Sequence, residues 1–382
     1  MNWQLPELLA ELVRRPSQNP MGLPLSGPGF GEAAVTDFLE ALFREWNLRY
    51  LRQPVLPGRE NIIAFCPGRE GAPVFLWEAH QDTVPAGDMV EAFRPRIENG
   101  RLYGRGACDV KGALAAMLAA LGRLMAEPKE RRYGIVLACV VDEEYTFRGV
   151  RELVKLPLEV HGAVVAEPTR LQIIVAHKGI VRWRIHTQGR SCHSSQPELG
   201  VNAIYRMAGV VQAVEQYAEW LRSYRRDPRL GPATLSVGRI EGGISANIVP
   251  ERCTIDLDRR VLPGEELDQV PKELADFLGR TIGPNGWHQE EPWMALPPLS
   301  PEGKEALVAR LREAVYEVRG RADIGTVAYG TDASTLQAAG IPCVVFGPGD
   351  IAQAHTAEEW IALDELEQAA EILYRFGIWR SG

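Results

Sequence analysis

The sequence predicts an α/β fold in two domains, a helix-covered sheet interrupted by a smaller inserted α+β domain. Three observations predict it: a length of 382 residues, short apolar runs that alternate with helical patterns at both ends of the chain, and a middle segment of different rhythm. A chain this long exceeds the size at which one hydrophobic core keeps growing, so two domains are expected. Hydrophobic residues make up 46% and charged residues 24% of the chain. No tract is poor enough in apolar residues to remain unfolded, and none carries a run of like charge.

The first part reads as helix and strand in turn. MNWQLPELLAELVRRPS places acidic residues among leucines, the pattern of an amphipathic helix, and a second helix is expected from Glu32. The GPGFG stretch (27–31) before it lacks the strand and spacing of a phosphate-binding loop and reads as a plain connection. VFLWEA (74–79), GIVLACVVD (134–142) and GAVVAE (162–167) are short apolar runs, and GALAAMLAALGRLM (112–125) reads as a helix between them. That alternation is the signature of a sheet covered by helices.

The middle differs. IVRWRIHTQG (180–189) alternates like a half-solvated strand, VNAIYRMAGVVQAVEQYAEWLRSY (201–224) reads as a long helix, and ATLSVGRIEGG (233–243) and RCTIDLDRRV (252–261) read as two more strands. The β-α-β-β order predicts an inserted domain over 177–290, with helices on one face of an antiparallel sheet. Gly283, Pro284, Asn285 and Gly286 mark a turn near its exit. Residues 1–176 and 291–382 then form the main domain. Its last segment carries a helix over 300–318, a short helix over 333–339, the run IPCVVFG and a closing helix over 363–376.

A net charge of −8 lacks the basic excess of a nucleic-acid binder, so nucleic acid is not expected as a partner. The N-terminus has no basic start followed by a continuous apolar stretch, and no stretch approaches the roughly 20 apolar residues needed to span a bilayer. A soluble, cytoplasmic protein without a membrane partner is expected. Cys66, Cys108, Cys139, Cys192, Cys253 and Cys343 are scattered singly, without CxxC spacing, and are expected to be reduced. Cys139 and Cys343, inside apolar runs, read as small core residues.

One scattered set of residues carries chemistry: His80 and Asp82, Asp109, the pair Glu143 and Glu144, Glu167, and His355. Imidazole and carboxylate hold divalent zinc or its neighbours, and a two-metal centre needs one carboxylate to bridge and another to activate water. His80, Glu143, Glu144, Glu167 and the loop before His355 all follow strand-like runs. In open α/β sheets ligands bind beyond the carboxyl ends of strands, so residues separate in sequence can converge there. His80 and Asp82 are two apart, which puts them on one side of an extended chain, where Asp82 could orient the imidazole. Asp109 follows the glycine-rich GRGACD turn, where small residues let the backbone approach a metal; taken alone it would read as the cap of the helix after it. Glu143 and Glu144 point opposite ways from a strand end, one available to metal and one to water, although an acidic dipeptide alone would read as a solvated turn. His161, His177, His186 and His288 have no motif beyond their neighbours and read as structural.

The segments AHQDTVPAG (79–87), GRLYGRGACDVKG (100–112), VVDEEYTFRG (140–149), VAEPT (165–169), GRSCHSSQPELGVNAI (189–204), NIVPERCTIDLDRRVLPG (247–264), YGTDAS (329–334) and FGPGDIAQAHTAEEW (346–360) resemble, in order, the motifs of the M20 metallopeptidase and deacylase family. The resemblance runs from about residue 60 to the end. It implies a mixed-sheet metallohydrolase catalytic domain with an inserted lid or dimerisation domain. It also implies two divalent metal ions, zinc first with cobalt or manganese as alternatives. By resemblance His80 and Glu167 hold one ion, Glu144 and His355 the other, Asp109 bridges them, Asp82 stands behind His80, and Glu143 is the base. His193, in GRSCHSS, resembles a histidine that stabilises the oxyanion in its own or a partner's active site. Asn247 and Arg260 resemble residues that grip a substrate carboxylate, with Arg259 either a solvated strand residue or in the reverse role. The implied activity is removal of the acyl group from an N-acyl amino acid by a homodimer paired through the inserted domain. GPGDIAQAH is most similar to acetylornithine deacetylase-type members, which makes N-acetylornithine or a similar N-acetyl amino acid the expected substrate. Desuccinylase, aminoacylase and carboxypeptidase or dipeptidase members share the metal site, and a catalytically silent binding relative is the alternative of another class.

Overall fold

The computed structural model describes residues 4–378 except 26, 28, 129 and 130. The chain forms two compact units, one built from the chain up to Val175, Pro301–Gly325 and Thr331 onward, the other from Ala176–Ser300 and Thr326–Gly330.

An eight-stranded mixed sheet organises the first unit. Its order is Arg49–Leu56, Arg59–Cys66, Gly134–Val140, Val74–His80, Ala163–Val165, Cys343–Val345, Ile173–His177, Ile324–Val327. The middle four strands are mutually parallel. Gly134–Val140 is buried at every position and Val74–His80 at every position but the first, as expected for parallel strands covered on both faces, and this is why they read as unbroken apolar runs. The first two strands form an antiparallel hairpin at one edge. RYLRQPVL (49–56) is polar and only partly buried, so it carries no strand signal of the kind that marks the centre.

Helices Leu5–Val13, Ala33–Glu45, Lys111–Ala126, Glu305–Arg319 and Leu363–Gly377 supply the rest of the core. Residues 1–3 of the expected N-terminal helix lie outside the described residues. Lys111–Ala126 is buried almost all round, because its alanines let neighbouring helices approach closely. The helix expected from residue 300 begins only at Glu305, after a turn through Pro301, Glu302 and Gly303.

The second unit is an antiparallel sheet in the order Thr234–Gly242, Arg252–Val261, Gly179–Gln188, Trp287–Gln289, and Met294–Leu296 also pairs with Gly179–Gln188. Val181, Trp183, Ile185, Ile255 and Leu257 bury one face in a core with helices Ala203–Tyr224 and Val270–Ile282. On the alternate positions, Arg182 pairs with Asp258 and Arg184 with Asp256. The unit extends to Ser300, past the expected exit at residue 290, because Met294–Leu296 still belongs to its sheet. Among the described residues no helix is long and apolar enough to cross a membrane.

Candidate metal centre

Topology assembles the site in the first unit. The four parallel strands end on one side of the sheet. Past His80 lies Asp82, past Val140 lie Asp142, Glu143 and Glu144, past Val165 lies Glu167, and past Val345 runs the loop to His355. Gly347 in that loop has no room for a side chain: a Cβ would sit 2.5 Å from the Glu167 main-chain oxygen. Asp142 (φ 66°) and His355 (φ 61°) are in the left-handed region, which non-glycine residues occupy rarely and which clusters at functional sites. The Asp109–Val110 peptide is cis.

His80 is buried, and its Nδ1 donates to the Asp82 main-chain oxygen at 2.9 Å. That bond leaves the Nε2 lone pair facing Asp109 Oδ1 at 3.1 Å. Two acceptors at that distance are held together only by a proton or a cation between them. His355 Nε2 stands 3.3 Å from the other Asp109 oxygen and 3.1 Å from Glu144 Oε2. Ligand atoms of His80, Asp109 and Glu144 lie within 4.8 Å of one another, and so do those of His80, Glu143 and Glu167.

The electrostatics call for added positive charge. Burial, and then the charges of Glu167 and of Asp109 respectively, push the carboxyls of Glu143 and Glu144 upward. Burial and Asp109 do the same to Glu167. Burial would also raise Asp109, but the His355 and His80 imidazoles against its two oxygens outweigh it and hold that carboxyl low. Bonds to Asp109 and Glu144 lift His355 to about 10. Four buried or nearly buried acids, the buried His80 and the more exposed His355 converge as the donor set of zinc, cobalt or manganese, and they fit a pair of divalent ions.

Asp82 supports the site by a route other than the expected one. Its carboxylate is 3.7 Å from His80 Nδ1, and the imidazole is held by the Asp82 main-chain oxygen. The carboxylate instead accepts the main-chain N–H groups of Glu143 (3.2 Å) and Glu144 (3.1 Å), together with Asn19 Nδ2 (2.8 Å). It therefore positions the glutamate pair.

Several residues of the site carry no signal in the sequence pattern. Glu359, buried, accepts Arg105 Nη1 at 2.7 Å and the main-chain N–H groups of Gly106, Cys108 and Asp109 at 2.9–3.0 Å, fixing the GRGACD turn. Arg59 binds Glu32 through two nitrogens and Asp142 at 2.9 Å, and Asn19 joins Asp142 to Asp82. Glu78 and Asp332 lie buried nearby. Burial, then the Asp332 charge, pushes Glu78 well up, and burial raises Asp332 to about 7. Only pairing across the fold reveals these roles; Glu359 sits in the quoted TAEEW segment with nothing local to single it out.

The second unit brings His193 and Asn247 together but keeps Arg260 apart. Ser194 N–H donates to the Asn247 main-chain oxygen at 3.0 Å, and His193 bridges to Ile248. Ser195 donates its main-chain N–H to His193 Nδ1, with its hydroxyl 2.7 Å from the same atom, so the imidazole proton sits on Nε2. Arg260 pairs in register with Ile180, at the opposite end of the strand that leads to His193. Those eight residues of strand put the two sites roughly 25 Å apart. Arg259 is neither solvated nor available: it is buried and ion-paired with Glu265 at 2.6 Å, because it points to the helix-covered face. Arg260, half-buried on the other face, pairs with Asp258 at 2.7 Å.

The sequence matches the model of peptidase family M20/M25/M40 over residues 76–377. It is 32% identical to acetylornithine deacetylase from Myxococcus xanthus over 82% of each chain. The Vibrio campbellii acetylornithine deacetylase is 31% identical, over 90% of this chain and 91% of the relative. In fold it resembles an M20 family metallo-carboxypeptidase from Sulfolobus solfataricus, with TM-score 0.80, 20% identity and 98% of both chains covered. It also resembles a dinuclear metal-binding M20 peptidase from Bacillus subtilis, with TM-score 0.70 and 17% identity over 98% of this chain and 96% of that one. The chain belongs to peptidase family M20/M25/M40, whose members are metal-dependent hydrolases of amide bonds.

Proposed function

We propose that this hydrolase removes the acyl group from an N-acyl amino acid, with N-acetylornithine or a similar N-acetyl amino acid as first choice. The observation that carries a dinuclear reading is Asp109, whose two carboxylate oxygens face different histidines, His80 at 3.1 Å and His355 at 3.3 Å. Asp109 would bridge, His80 and Glu167 would hold one ion, and Glu144 and His355 the other. Two divalent ions there, zinc first and cobalt or manganese otherwise, supply Lewis acidity toward the acyl oxygen and toward water.

Glu143 is the base in this reading. Its buried carboxyl is pushed upward by burial and Glu167, which makes it a stronger proton acceptor than a solvated carboxylate. It takes the proton of the attacking water on a carboxylate oxygen and delivers it to the departing amine. His193 offers its Nε2–H to the acyl oxygen as negative charge develops. Asn247 and Arg260 bind the amino-acid carboxylate, Arg260 exchanging Asp258 for it.

Because His193 and Asn247 lie at the far end of the sheet from Arg260, one copy of the unit cannot present all three to one small substrate. That favours a homodimer in which a second copy supplies His193 and Asn247. The edge strand Thr234–Gly242 and helix Ala203–Tyr224 expose Ile240 and Tyr205, the latter 77% accessible, and suit such pairing. The names of the curated relatives support the acetyl substrate. Release of acetate from N-acetylornithine is expected to exceed release of succinate from N-succinyl-diaminopimelate and of amino acid from a dipeptide; no acetate release would remove the first choice.

A further inference from the structure

We propose that Asn19 is a positioning residue for the Glu143–Glu144 turn, acting through Asp82; the proposal rests on the dinuclear hydrolase reading. Asn19 is completely buried. Its Nδ2 donates to Asp82 Oδ2 at 2.8 Å and to Asp142 Oδ1 at 3.1 Å, and its Oδ1 accepts the Met21 N–H at 2.9 Å. Every hydrogen of the amide is therefore spent on one of the two carboxylates that bracket Glu143. Asp82 grips the N–H groups of Glu143 and Glu144, and Asp142 directly precedes them at φ 66°.

Asn19 is itself held rigidly. Thr83 N–H donates to the Ser17 oxygen at 3.0 Å, Asn19 N–H donates to the Thr83 oxygen at 2.8 Å, and Ser17 Oγ donates to the Gln81 oxygen at 2.7 Å. The segment Ser17–Asn19 thus runs alongside Gln81–Thr83 as an added edge, and the amide is aimed by main chain. Its neutrality matters as well. Glu32 and Asp142 pair with the guanidinium of Arg59, and buried Asp82 lies within its field without a direct bond, so a donor without charge keeps Asp82 and Asp142 apart at a fixed spacing, whereas a carboxylate in its place would repel both. That spacing sets the direction in which the Asp82 oxygens meet the two N–H groups, and hence where the glutamates leave the strand end. A group that orients ligands from behind usually controls metal affinity or rate by about 10–100-fold.

Asn19→Ala, Asn19→Ser and Asn19→Asp, made in the full chain, test this. Zinc is titrated against a chelator of known affinity, kcat and KM are measured on whichever amide the wild type hydrolyses, and folding is scored by near-ultraviolet circular dichroism. Asn19→Ala is expected to weaken one of two zinc sites by about tenfold and to lower kcat by about 10–100-fold, with KM changed by less than about twofold because substrate contacts are untouched. Asn19→Ser keeps an uncharged hydrogen-bonding side chain and carries the test if Asn19→Ala does not fold; Asn19→Asp, whose carboxylate repels Asp82 and Asp142, is expected to lose more than either. Folded variants that keep both zinc affinities and kcat would overturn the proposal. The zinc titration decides it even if no N-acyl amino acid proves to be a substrate, which separates its failure from failure of the substrate reading.

Discussion

Replacing Glu359 by glutamine should loosen the turn that carries Asp109 without emptying any space. Glu359 Oε1 accepts the N–H groups of Cys108 and Asp109, and Oε2 accepts Gly106 N–H and Arg105 Nη1. Glutamine can keep the first pair on its remaining oxygen. Its amide nitrogen then faces Arg105 and Gly106, two donors with nothing to accept them, and the buried guanidinium loses its counter-charge. Breaking a buried ion pair in this way costs about 3–5 kcal/mol. With a urea m-value of about 2–3 kcal/mol/M, the first unfolding transition moves down by roughly 1.5 M. The assay is urea unfolding followed by circular dichroism and tryptophan fluorescence, on protein stripped of metal so that ligand linkage does not contribute. A loss below about 1 kcal/mol at unchanged m would mean that Glu359 is not the anchor of the GRGACD turn.

Three further outcomes follow from the same geometry. Glu143→Gln should cut kcat by about 10²–10⁴-fold while metal content, measured by plasma mass spectrometry, stays at the wild-type level; undiminished turnover would remove Glu143 as the base. Gly347→Ala should cost about 1–3 kcal/mol in urea unfolding and weaken zinc binding, since its Cβ must push back the Glu167 main chain; wild-type values in both would show that the loop has slack. Burial holds the Lys304 amine at about 8, well below the roughly 10.4 of an unfolded chain, so the unfolded state binds more protons between those values and stability rises with pH across them. Wild type should therefore gain up to about 3 kcal/mol on Lys304→Met between pH 7.5 and 10.5; parallel midpoints at the two pH values would count against a charge buried at that site.

Much of the main sheet was legible because buried parallel strands cannot alternate: VFLWEA and GIVLACVVD announce themselves as runs, and their ends point to the acids. Half-buried strands announce themselves too when charges line one face, as Arg182, Arg184 and His186 do. The edge hairpin was not legible, since RYLRQPVL buries little and owes its conformation to pairing with RENIIAFC. The helix Val270–Ile282 hides behind a charged surface, with Val270, Leu274 and Leu278 in the core and Phe277 packed against it. Within the site, residue types with metal chemistry could be picked out one by one, because all but Asp109 follow a strand or the loop that leaves one. Asn19, Arg59 and Glu359 could not: an asparagine in PSQNP and a glutamate in TAEEW gain meaning only from partners 60 to 250 positions away. The same limit applied to Arg259 and Arg260, where one step along the strand decides which is buried.

Zinc stoichiometry and affinity of the full chain and of its Asp109→Ala variant, measured side by side, bear most directly on the dinuclear centre. Two zinc ions per wild-type chain are predicted, with both sites severely weakened in the variant because Asp109 faces both histidines. One ion per wild-type chain, or two ions retained at unchanged affinity in Asp109→Ala, would contradict it.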